Sequence, residues 1–456
     1  MKAVIFGTGM VYQRYKSFFL NVKILCFLDN DKNKWKTQID GISIVAPDKI
    51  HDYEYDYIFL MSIHFKEMRK QLVQLGVPAD KIIDQCHLGP FKYINQIRRY
   101  EVRNREKAYK KGKILLVSHA FNLSGAPVVL CWLAQILYKE GFSVEICAQD
   151  SGNTENLLYQ MIKQGITISL CSQIDLLDID KVCSNYDLII VNTVTLYSIV
   201  QELSGKVIPV IWWLHEEEDV YRDRGIALQE IKTGENIHAY AVGERAREAY
   251  SRYSTESSVD IMLYGMEEIQ GSGIKKVHRE KLIFALIGYG CERKGQDIVY
   301  EAVSRNFSKW NNQIEIWFIG EISESQQKIY ERFSCFRCMG VLDQNYIREV
   351  YDKIDILLCP SLHDPMPVVV TEAMMHKKVC IVSDMTGQYE YILPYVNGLI
   401  CEAGNVKSLE LAIQWTIDNR EKLDAIGKEG YKIYKKYFSA ESFKRKVDEI
   451  ITKYLT

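Results

Sequence analysis

Two carboxylates, Asp364 and Glu372, stand eight positions apart in a stretch where apolar runs alternate with turn residues. Residues 354–358 form a short apolar run typical of a buried strand, and residues 379–382 form a second one. Two prolines between the runs indicate a loop, and residues 368–375 fit a short helix after the second proline. This order of elements is typical of a parallel α/β sheet, in which such a loop lies at the carboxyl ends of the strands.

The start of this helix is predicted to bind an anion. Backbone N–H groups in a first helical turn have no acceptor within the helix, and the helix dipole is positive there. The residues at this position are Met366, Pro367 and Val368. Carboxylates accept hydrogen bonds from hydroxyls and do not neutralise phosphate, so Asp364 and Glu372 suit a phosphate that carries sugars.

A second loop supplies positive charge. Apolar residues 282–287 predict a strand that leads into Gly288, and Arg293 and Lys294 follow just before Gly295. Arginine can hold a diphosphate with its bidentate fork, and lysine can do so as a point charge. Cations at a helix start oppose the helix dipole unless an anion is bound, which favours a phosphate-binding role over a plain surface pair.

Taken in order, these motifs resemble a known family. The acid-x7-Glu spacing, the following Ala373 and Met374, an apolar strand, Gly387-x-x-Glu and the Arg-Lys-Gly-Gln loop resemble the retaining family 4 glycosyltransferases of GT-B fold. The resemblance runs from about residue 113 to the C-terminus. It implies a retaining transfer of a sugar from a nucleotide-diphosphate sugar to an acceptor hydroxyl. At the level of the family it also implies a role in bacterial surface polysaccharide or glycoconjugate assembly.

The resemblance implies roles for four residues. Glu372 accepts hydrogen bonds from the ribose hydroxyls, and Asp364 holds a hydroxyl of the transferred sugar. Arg293, Lys294 and the helix start stabilise the charge that develops on the departing diphosphate, so no divalent metal is expected. Since no residue is an obvious covalent nucleophile, front-face attack is predicted, and the leaving phosphate takes the proton of the acceptor.

Two further site residues are predicted in the preceding domain. His215 ends an apolar strand in the motif Trp-Trp-Leu-His-Glu, which resembles a strand end whose histidine faces the transferred sugar. A histidine there could bond to a sugar hydroxyl or share a proton near neutral pH. Gly125 lies in the first strand-to-helix loop and would face the donor diphosphate, although a plain turn remains the alternative. The acidic residues 216–219 are interpreted as a solvated loop.

Residues 1–95 resemble the Rossmann-like N-terminal domains attached to some bacterial sugar-modifying enzymes. The first apolar run leads into Gly7 and Gly9, and a second run ends in Asp29 about twenty residues later, which is half of a dinucleotide-binding fingerprint. The third glycine position of the fingerprint carries Tyr12. Two interpretations remain open. The domain binds a nucleotide or nucleotide sugar, or it is a docking or regulatory fold whose glycines only form a tight turn.

The predicted fold class is α/β: a GT-B arrangement of two Rossmann-like domains facing a cleft, preceded by the additional small Rossmann-like domain. Residues 96–112 are predicted to form a basic linker helix, which would touch an anionic membrane surface or simply join two domains. Residues 113–273 are the expected acceptor-side domain, and residues 274–456 are the expected donor-binding domain, whose last helix crosses back. Residues 270–276 are predicted to be a hinge.

Two smaller elements are predicted in the C-terminal half. Residues 339–341 are expected to be a short strand. Residues 431–455 are expected to form a long amphipathic ending, with Phe438, Phe443 and Ile450 as candidates for contact with the N-terminal half.

Composition restricts the classes of partner. The chain of 456 residues is 47% hydrophobic and 25% charged, and its net charge of −2 gives no general attraction to nucleic acid. The 12 cysteines, many of them in apolar runs, are interpreted as free thiols in a reducing cytoplasm. Cys335 and Cys338 have metal-type spacing without a matching second pair, so core packing is predicted instead.

No metal and no cofactor are expected, since the nucleotide-diphosphate sugar acts as a co-substrate. The expected partners are this donor, a glycan or lipid-linked acceptor and, through the N-terminal domain, a second copy of the chain or another protein. A cytoplasmic location is expected, because no apolar run approaches the roughly 18 residues of a membrane span. Peripheral contact with the inner face of the membrane is left open.

Two other functions remain as alternatives. An NAD-dependent sugar-nucleotide oxidoreductase or epimerase would use the N-terminal glycines, but the third glycine is missing and no paired Tyr-x-x-x-Lys motif stands near an expected cofactor face. A non-catalytic glycosyltransferase-like partner of a synthase complex would keep the cleft without turnover.

Overall fold

The computed structural model describes residues 1–19, 21–84, 88, 91, 97–102, 111–152, 154–224, 235–254, 259–269, 280–342 and 344–455. Contacts divide the chain into two compact units. Unit 1 comprises Met1–Asn122 and Ser143–Tyr186, and unit 2 comprises Leu123–Phe142 and Asp187–Thr456. Within the described ranges, no helix has the length and apolar character that crossing a bilayer requires. The domain boundaries stay a prediction, and the hinge predicted at residues 270–276 lies outside the described residues.

The first sheet of unit 1 consists of six strands: β1 (Lys2–Phe6), β2 (Lys23–Leu28), β3 (Gln38–Ile39), β4 (Ile42–Val45), β5 (Tyr57–Leu60) and β6 (Ile82–Asp84). Their order is β3-β4-β2-β1-β5-β6, and only the β3–β4 pair is antiparallel. The helices are α1 (Met10–Tyr15) and α2 (Phe65–Gln74). Successive residues of β1 pack on opposite faces of the sheet: Ile5 belongs to one apolar core and Phe6 to another. The predicted Rossmann-like domain is confirmed.

The N-terminal glycine turn is tight. Gly7 has a φ of +105°, and an added Cβ would lie 2.5 Å from the carbonyl oxygen of Met61, so only glycine fits. Asp29, at the end of β2, accepts a hydrogen bond from Thr8 and lies 3.0 Å from Lys34 Nζ. In a dinucleotide-binding site the corresponding carboxylate binds the ribose, whereas here it is already bonded to Thr8 and paired with Lys34. Nucleotide binding by this domain stays a prediction.

Four further strands of unit 1 are β7 (Ile97–Tyr100), β8 (Lys113–Ser118), β9 (Ser143–Gln149) and β10 (Thr167–Cys171), in the order β8-β9-β10-β7. Strands β8, β9 and β10 are parallel, and β7 is antiparallel to β10. The accompanying helices are α4 (Glu155–Gln164) and α5 (Ile179–Asn185).

Strand β7 corrects the linker-helix prediction for residues 96–112. Residues Ile97–Tyr100 are extended because they pair with the edge strand β10, and Arg99 Nη2 lies 3.1 Å from Glu145 Oε2. An ion pair of the chain itself therefore engages a basic side chain that was predicted to face solvent or a membrane. The rest of the basic segment, residues 103–110, lies outside the described residues, so membrane contact stays a prediction.

Unit 2 contains four parallel strands in the order β14-β13-β12-β11: β11 (Leu188–Asn192), β12 (Val210–Leu214), β13 (Ile237–Ala241) and β14 (Asp260–Ile261). The helices are α3 (Gly125–Lys139), α6 (Tyr197–Leu203), α7 (Glu218–Arg224) and α8 (Glu244–Tyr253). Helix α3 begins at Gly125, and Pro127 is tolerated there because it lies in the first helical turn.

A six-stranded parallel sheet completes unit 2: β15 (Leu282–Ile287), β16 (Ile314–Ile319), β17 (Phe336–Cys338), β18 (Ile356–Cys359), β19 (Val379–Ser383) and β20 (Leu399–Cys401). The order is β17-β16-β15-β18-β19-β20. The strand expected at residues 339–341 therefore lies three residues earlier. The strand order reverses between β15 and β18, and ligands of open α/β sheets bind outside the strand ends at such a point.

The helices of this part are α9 (Gln296–Arg305), α10 (Phe307–Trp310), α11 (Glu324–Tyr330), α12 (Gln344–Lys353), α13 (Val368–Met375), α14 (Val406–Asp418), α15 (Leu423–Ile433) and α16 (Ala440–Tyr454). Helices and strands share one apolar core, to which β15, β16, β18 and β19 all contribute. Helix α13 has the predicted bounds.

The amphipathic ending predicted for residues 431–455 consists of more than one element. Helix α15 is followed by a π-helical turn and an extended Ser439, whose side chain accepts a bond from Ser442 N–H and so caps α16. Met266 N–H donates to the Phe438 carbonyl oxygen at 3.0 Å, and the rings of Trp213 and Phe443 are 5.7 Å apart. The end of the chain thus contacts Trp213 of β12 and Met266, and the crossing back of the last helix stays a prediction.

Candidate active site

Two cations and one carboxylate form an ionic cluster in unit 2. Lys294 Nζ lies 2.5 Å from Asp364 Oδ2, and Arg293 Nη1 lies 3.1 Å from the same oxygen. Arg293 Nη1 also donates to the carbonyl oxygen of His363 at 3.0 Å. Asp364 is 7% exposed, whereas the side chains of Lys294 and Arg293 are 17% and 38% exposed. The structure therefore brings three predicted site residues together. The carboxylate is buried, and the two cations are partly exposed to solvent.

Two loops carry this cluster, and backbone contacts fix one against the other. The loop after β15 ends at Gly295, where φ is +77° and an added Cβ would lie 2.7 Å from the Pro360 carbonyl oxygen. Leu362 N–H donates to the Arg293 carbonyl oxygen at 2.8 Å. Because β15 and β18 are neighbours in the sheet, both loops leave from the same edge. Only glycine permits this approach.

The first turn of α13 is held by a following turn. Gln388 Nε2 donates to the Pro367 carbonyl oxygen at 2.8 Å. The neighbouring Gly387 leaves no room for a side chain, since an added Cβ would lie 1.7 Å from the Pro365 carbonyl oxygen. Pro367 caps the helix with extended backbone, and Val368 is its first residue. Position and support agree with the predicted anion-binding helix start.

The segment after β13 contacts the same loop. Met366 is buried, and a Cβ added to Gly243 would lie only 2.5 Å from Met366 Cε, so a side chain at position 243 would collide with it. Arg245 Nη2 donates to the Asp384 carbonyl oxygen, and Nη1 lies 3.4 Å from Met385 Sδ. Arg245 was not predicted as a site residue. Its signal in the sequence was a cation in the first turn of a helix after a strand, the feature that also pointed to Arg293.

Glu372 lies one turn into α13 and is partly buried. It accepts a hydrogen bond from the hydroxyl of Tyr351 at 2.7 Å. Burial raises the pKa of the Glu372 carboxyl to about 7, and the bond from Tyr351 opposes the rise. The hydroxyl of Tyr264 is hydrogen-bonded to that of Thr371 at 2.9 Å. Burial raises the pKa of Tyr264, and the negative charges of Glu372 and Asp364 raise it further. The described contacts of Glu372 are thus with Tyr351, and those of the cations are with Asp364.

His215 follows β12 and is partly buried. Its backbone N–H donates to Glu216 Oε2 at 3.0 Å, and its ring centroid is 4.6 Å from that of Trp213. Val194 N–H donates to the same Glu216 oxygen at 2.9 Å, so this carboxylate joins the ends of β11 and β12. The ring of His215 contacts that of Trp213, and the role of His215 at the site stays a prediction.

Gly125 is the first residue of α3, and an added Cβ would meet none of the described residues within 4 Å. The fully buried Asn192 at the end of β11 donates to the Ala126 carbonyl oxygen at 3.0 Å and holds this helix start in place. The space beside Gly125 is compatible with a ligand, but sterics in the chain do not require glycine there.

The acidic segment predicted to be solvated is only partly so. The Glu217 side chain is 13% exposed, and its Oε2 lies 3.5 Å from His363 Nδ1. Neither Glu217 nor His363 was predicted as a site residue. The adjacency of His363 to Asp364 was the available signal for the histidine. The four consecutive acidic residues 216–219 do not indicate in the sequence which side chain is buried.

The chemistry available in the described residues is that of paired cations and a helix start. Within them, no group of three or more His, Cys, Asp or Glu is arranged to hold a metal ion. Burial raises the pKa of Cys335 and of Cys338 to about 11, so both thiols are protonated and inert near neutral pH. Arg293, Lys294 and the first turn of α13 together suit a diphosphate.

Comparison with known families divides the chain into three matched segments. Residues 1–83 match the family described as C2185-like, N-terminal. Residues 110–259 match Glycosyl-transferase family 4, and residues 272–433 match Glycosyl transferases group 1.

A protein of Methanocaldococcus jannaschii named as an uncharacterized glycosyltransferase is 22% identical over 167 residues, which cover 35% of this chain and 40% of that protein. The match thus spans less than half of that relative. HepE of Anabaena, solved in complex with UDP and glucose, has a TM-score of 0.62 at 16% identity, covering 75% of this chain and 100% of its own. Sucrose-phosphate synthase of Thermosynechococcus elongatus has a TM-score of 0.60 at 15% identity, covering 75% and 98% respectively.

These structural similarities concern the fold, and the two glycosyltransferase families match adjoining segments of the chain. Together they confirm the resemblance that the motifs around Asp364 and Arg293 indicated. The chain thus resembles the family 4 and group 1 glycosyltransferases over residues 110–259 and 272–433, has the GT-B fold and carries an additional C2185-like N-terminal domain over residues 1–83.

Proposed function

We propose that the protein is a retaining glycosyltransferase that moves a sugar from a nucleotide-diphosphate sugar to an acceptor hydroxyl. The observation that carries this proposal is the cluster of Arg293, Lys294 and Asp364 beside the first turn of α13. Structures of HepE with UDP and with UDP-glucose support a uridine nucleotide as the first donor to test.

The cluster would bind the donor diphosphate. Two cations against one carboxylate leave a net positive charge beside a helix N-terminus, and a diphosphate would complete this arrangement. Asp364 holds both cations in place before the donor arrives, so little reorganisation is needed as charge develops on the leaving group. Arg293, Lys294 and the N–H groups of Val368 and its neighbour would therefore replace a divalent metal in this role.

The acids would orient the hydroxyls of the donor. Both cations contact Oδ2 of Asp364, which leaves Oδ1 for a hydroxyl of the transferred sugar. Glu372 would accept from the ribose hydroxyls while Tyr351 keeps one of its oxygens in place. His215 would face the sugar from the end of β12, and Gly125 would leave room for the diphosphate at the start of α3.

The chemical step would be front-face attack by the acceptor hydroxyl on the anomeric carbon. The bond from that carbon to the phosphate oxygen breaks, the new glycosidic bond forms on the same face, and the leaving phosphate takes the acceptor proton. A glycan or lipid-linked acceptor in bacterial surface polysaccharide or glycoconjugate assembly fits this reaction class.

A thermal-shift screen of UDP-, GDP- and dTDP-sugars tests donor binding. A ligand at 100 times its dissociation constant adds about 2.7 kcal/mol to the free energy of unfolding, which is readily measured. Stabilisation by one nucleotide series, and its loss in Lys294→Ala, is expected. Stabilisation by none of them would contradict the proposal.

Turnover distinguishes an enzyme from a non-catalytic partner of a synthase. The isolated protein is expected to hydrolyse the stabilising nucleotide sugar slowly without an acceptor, releasing the nucleoside diphosphate. Binding without any hydrolysis or transfer would instead favour the partner role.

A further inference from the structure

Glu217 follows β12 in an acidic run, yet its carboxyl faces inward. Its Oε2 lies 3.5 Å from His363 Nδ1, and its Oε1 is buried with no hydrogen-bond partner among the described residues. On the other side of the ring, Asp219 Oδ2 lies 3.8 Å from His363 Nε2. The imidazole thus lies between two carboxylates, and both of its nitrogens can donate only when the ring is protonated.

His363 belongs to the loop that carries the ionic cluster. Its carbonyl oxygen accepts from Arg293 Nη1 at 3.0 Å, and the next residue is Asp364. A shift of His363 would therefore move an acceptor of Arg293 together with the carboxylate that holds Arg293 and Lys294. The charges of Asp364 and Arg293 also act on the Glu217 carboxyl, which places all these groups in one neighbourhood.

We propose that Glu217 is a positioning residue for sugar transfer, which holds the His363 ring and thereby sets the place of the Arg293–Lys294–Asp364 cluster. This inference rests on the proposed function and adds to it a contact between the segment after β12 and the loop after β18. Because Glu217 acts through His363 and not on the donor, its loss should affect kcat more than KM.

The buried position of Glu217 predicts that kcat depends on pH. Burial raises the pKa of the Glu217 carboxyl to about 7, and the charged neighbours that act on it are, in order, Arg245, Asp364, Asp219 and Arg293. The two cations lower this pKa and the two acids raise it. Above pH 7 the charged carboxylate accepts from the His363 ring, and below it the protonated carboxyl is a weaker acceptor. We therefore expect kcat to fall as the pH drops through 7.

The test compares the wild type with Glu217→Gln, Glu217→Asp and Glu218→Gln. Glu218 is a matched control, because it lies beside Glu217 but forms an exposed ion pair with Arg252. The kinetic measurement is UDP release from UDP-glucose at several pH values on both sides of neutrality. The structural measurement is the NMR chemical shift of the His363 ring at one pH above neutrality, assigned with a His363→Gln variant.

Glu217→Gln should lower kcat about 10- to 100-fold above neutral pH, with a much smaller change in KM. It should also remove the decline of kcat at lower pH and change the chemical shifts of the His363 ring, because the neighbouring carboxylate is lost. Glu217→Asp should restore part of the rate, and Glu218→Gln should match the wild type.

Wild-type kinetics and unchanged chemical shifts of the His363 ring in Glu217→Gln would overturn the positioning role alone. A wild-type protein without turnover of any nucleotide sugar would contradict the proposed function and the positioning role with it.

Discussion

Lys294 Nζ and Asp364 Oδ2 lie 2.5 Å apart although 70 positions separate the two residues in the chain. The contact forms because β15 and β18 are neighbours in the sheet and their following loops share one edge. It joins the cation and the acid on which the proposed donor site depends.

Replacement of the lysine tests the cation directly. Lys294→Ala should lower kcat about 10²- to 10³-fold, because it removes one preorganised charge from the leaving group. Arg293 still pairs with Asp364 in this variant, so the fold should survive. Steady-state kinetics and far-UV circular dichroism measure the two effects. Lys353→Ala, which removes an exposed pair with Glu349, is the control, and an equal loss in both variants would contradict the assignment.

Replacement of the acid should separate binding from chemistry. Asp364→Asn keeps the shape of the side chain but leaves two neighbouring cations without a counter-ion, which should cost roughly 1–3 kcal/mol of stability after solvent screening. UDP should still bind this variant, because Arg293, Lys294 and the start of α13 remain, whereas turnover should be lost because a sugar hydroxyl loses its acceptor. Calorimetric titration with UDP and steady-state kinetics test this split. Loss of UDP binding together with turnover would contradict a separate role of Asp364 in the transfer step.

Burial of Glu372 predicts a pH-dependent stability. The pKa of its carboxyl is raised from 4.5 to about 7 in the folded protein, so the folded state binds more protons between these values. Stability therefore decreases as pH rises from 4.5 towards 7, and the full cost is present above 7.

Glu372→Gln keeps an acceptor for Tyr351 and removes that cost. The variant should be more stable than the wild type by about 1–3 kcal/mol at mildly alkaline pH, and this difference should vanish near the ordinary pKa of the carboxyl. Urea unfolding at several pH values measures it. A stability difference that does not depend on pH would exclude a raised pKa as the cause.

Two glycines in comparable loops should respond differently to alanine. Gly295→Ala should lose about 1–3 kcal/mol, because φ is +77° and Pro360 lies too close for a Cβ. Gly125→Ala should leave stability unchanged or slightly raised, because that residue begins a helix beside open space. Thermal unfolding of the two variants checks the contrast. Equal destabilisation of both would contradict the loop geometry.

Gly125→Ala also tests a role in binding. If the donor diphosphate approaches the backbone at this glycine, the variant should lose affinity for UDP while its stability is retained.

Much of the donor half could be predicted because its apolar runs are short, buried and separated by strong turn residues. The bounds of α13 and of the strand Ile314–Ile319 follow from such patterns. The strand at Ile97–Tyr100 could not be predicted, since its basic residues become edge residues only when β10 lies beside them. The break at Ser439 was missed for a similar reason, because a serine inside an amphipathic pattern acts as a cap only in its final surroundings.

The site was predictable only in part. Residue type and spacing indicate Arg293, Lys294 and Asp364 as candidate site residues. Opposite charges in two neighbouring loops are expected to pair, and these residues do so. The raised pKa values of Glu217 and Glu372 depend on burial by distant segments, which a single sequence does not record.

Calorimetric titration of UDP, GDP and dTDP into the wild type and Lys294→Ala, each compared with its nucleoside, tests the central claim most directly. One diphosphate should bind the wild type in a salt-dependent manner, its nucleoside should bind far more weakly, and the variant should lose most of the difference. Equal affinity of the nucleotide and the nucleoside, or unchanged binding in Lys294→Ala, would contradict a diphosphate site at Arg293 and Lys294.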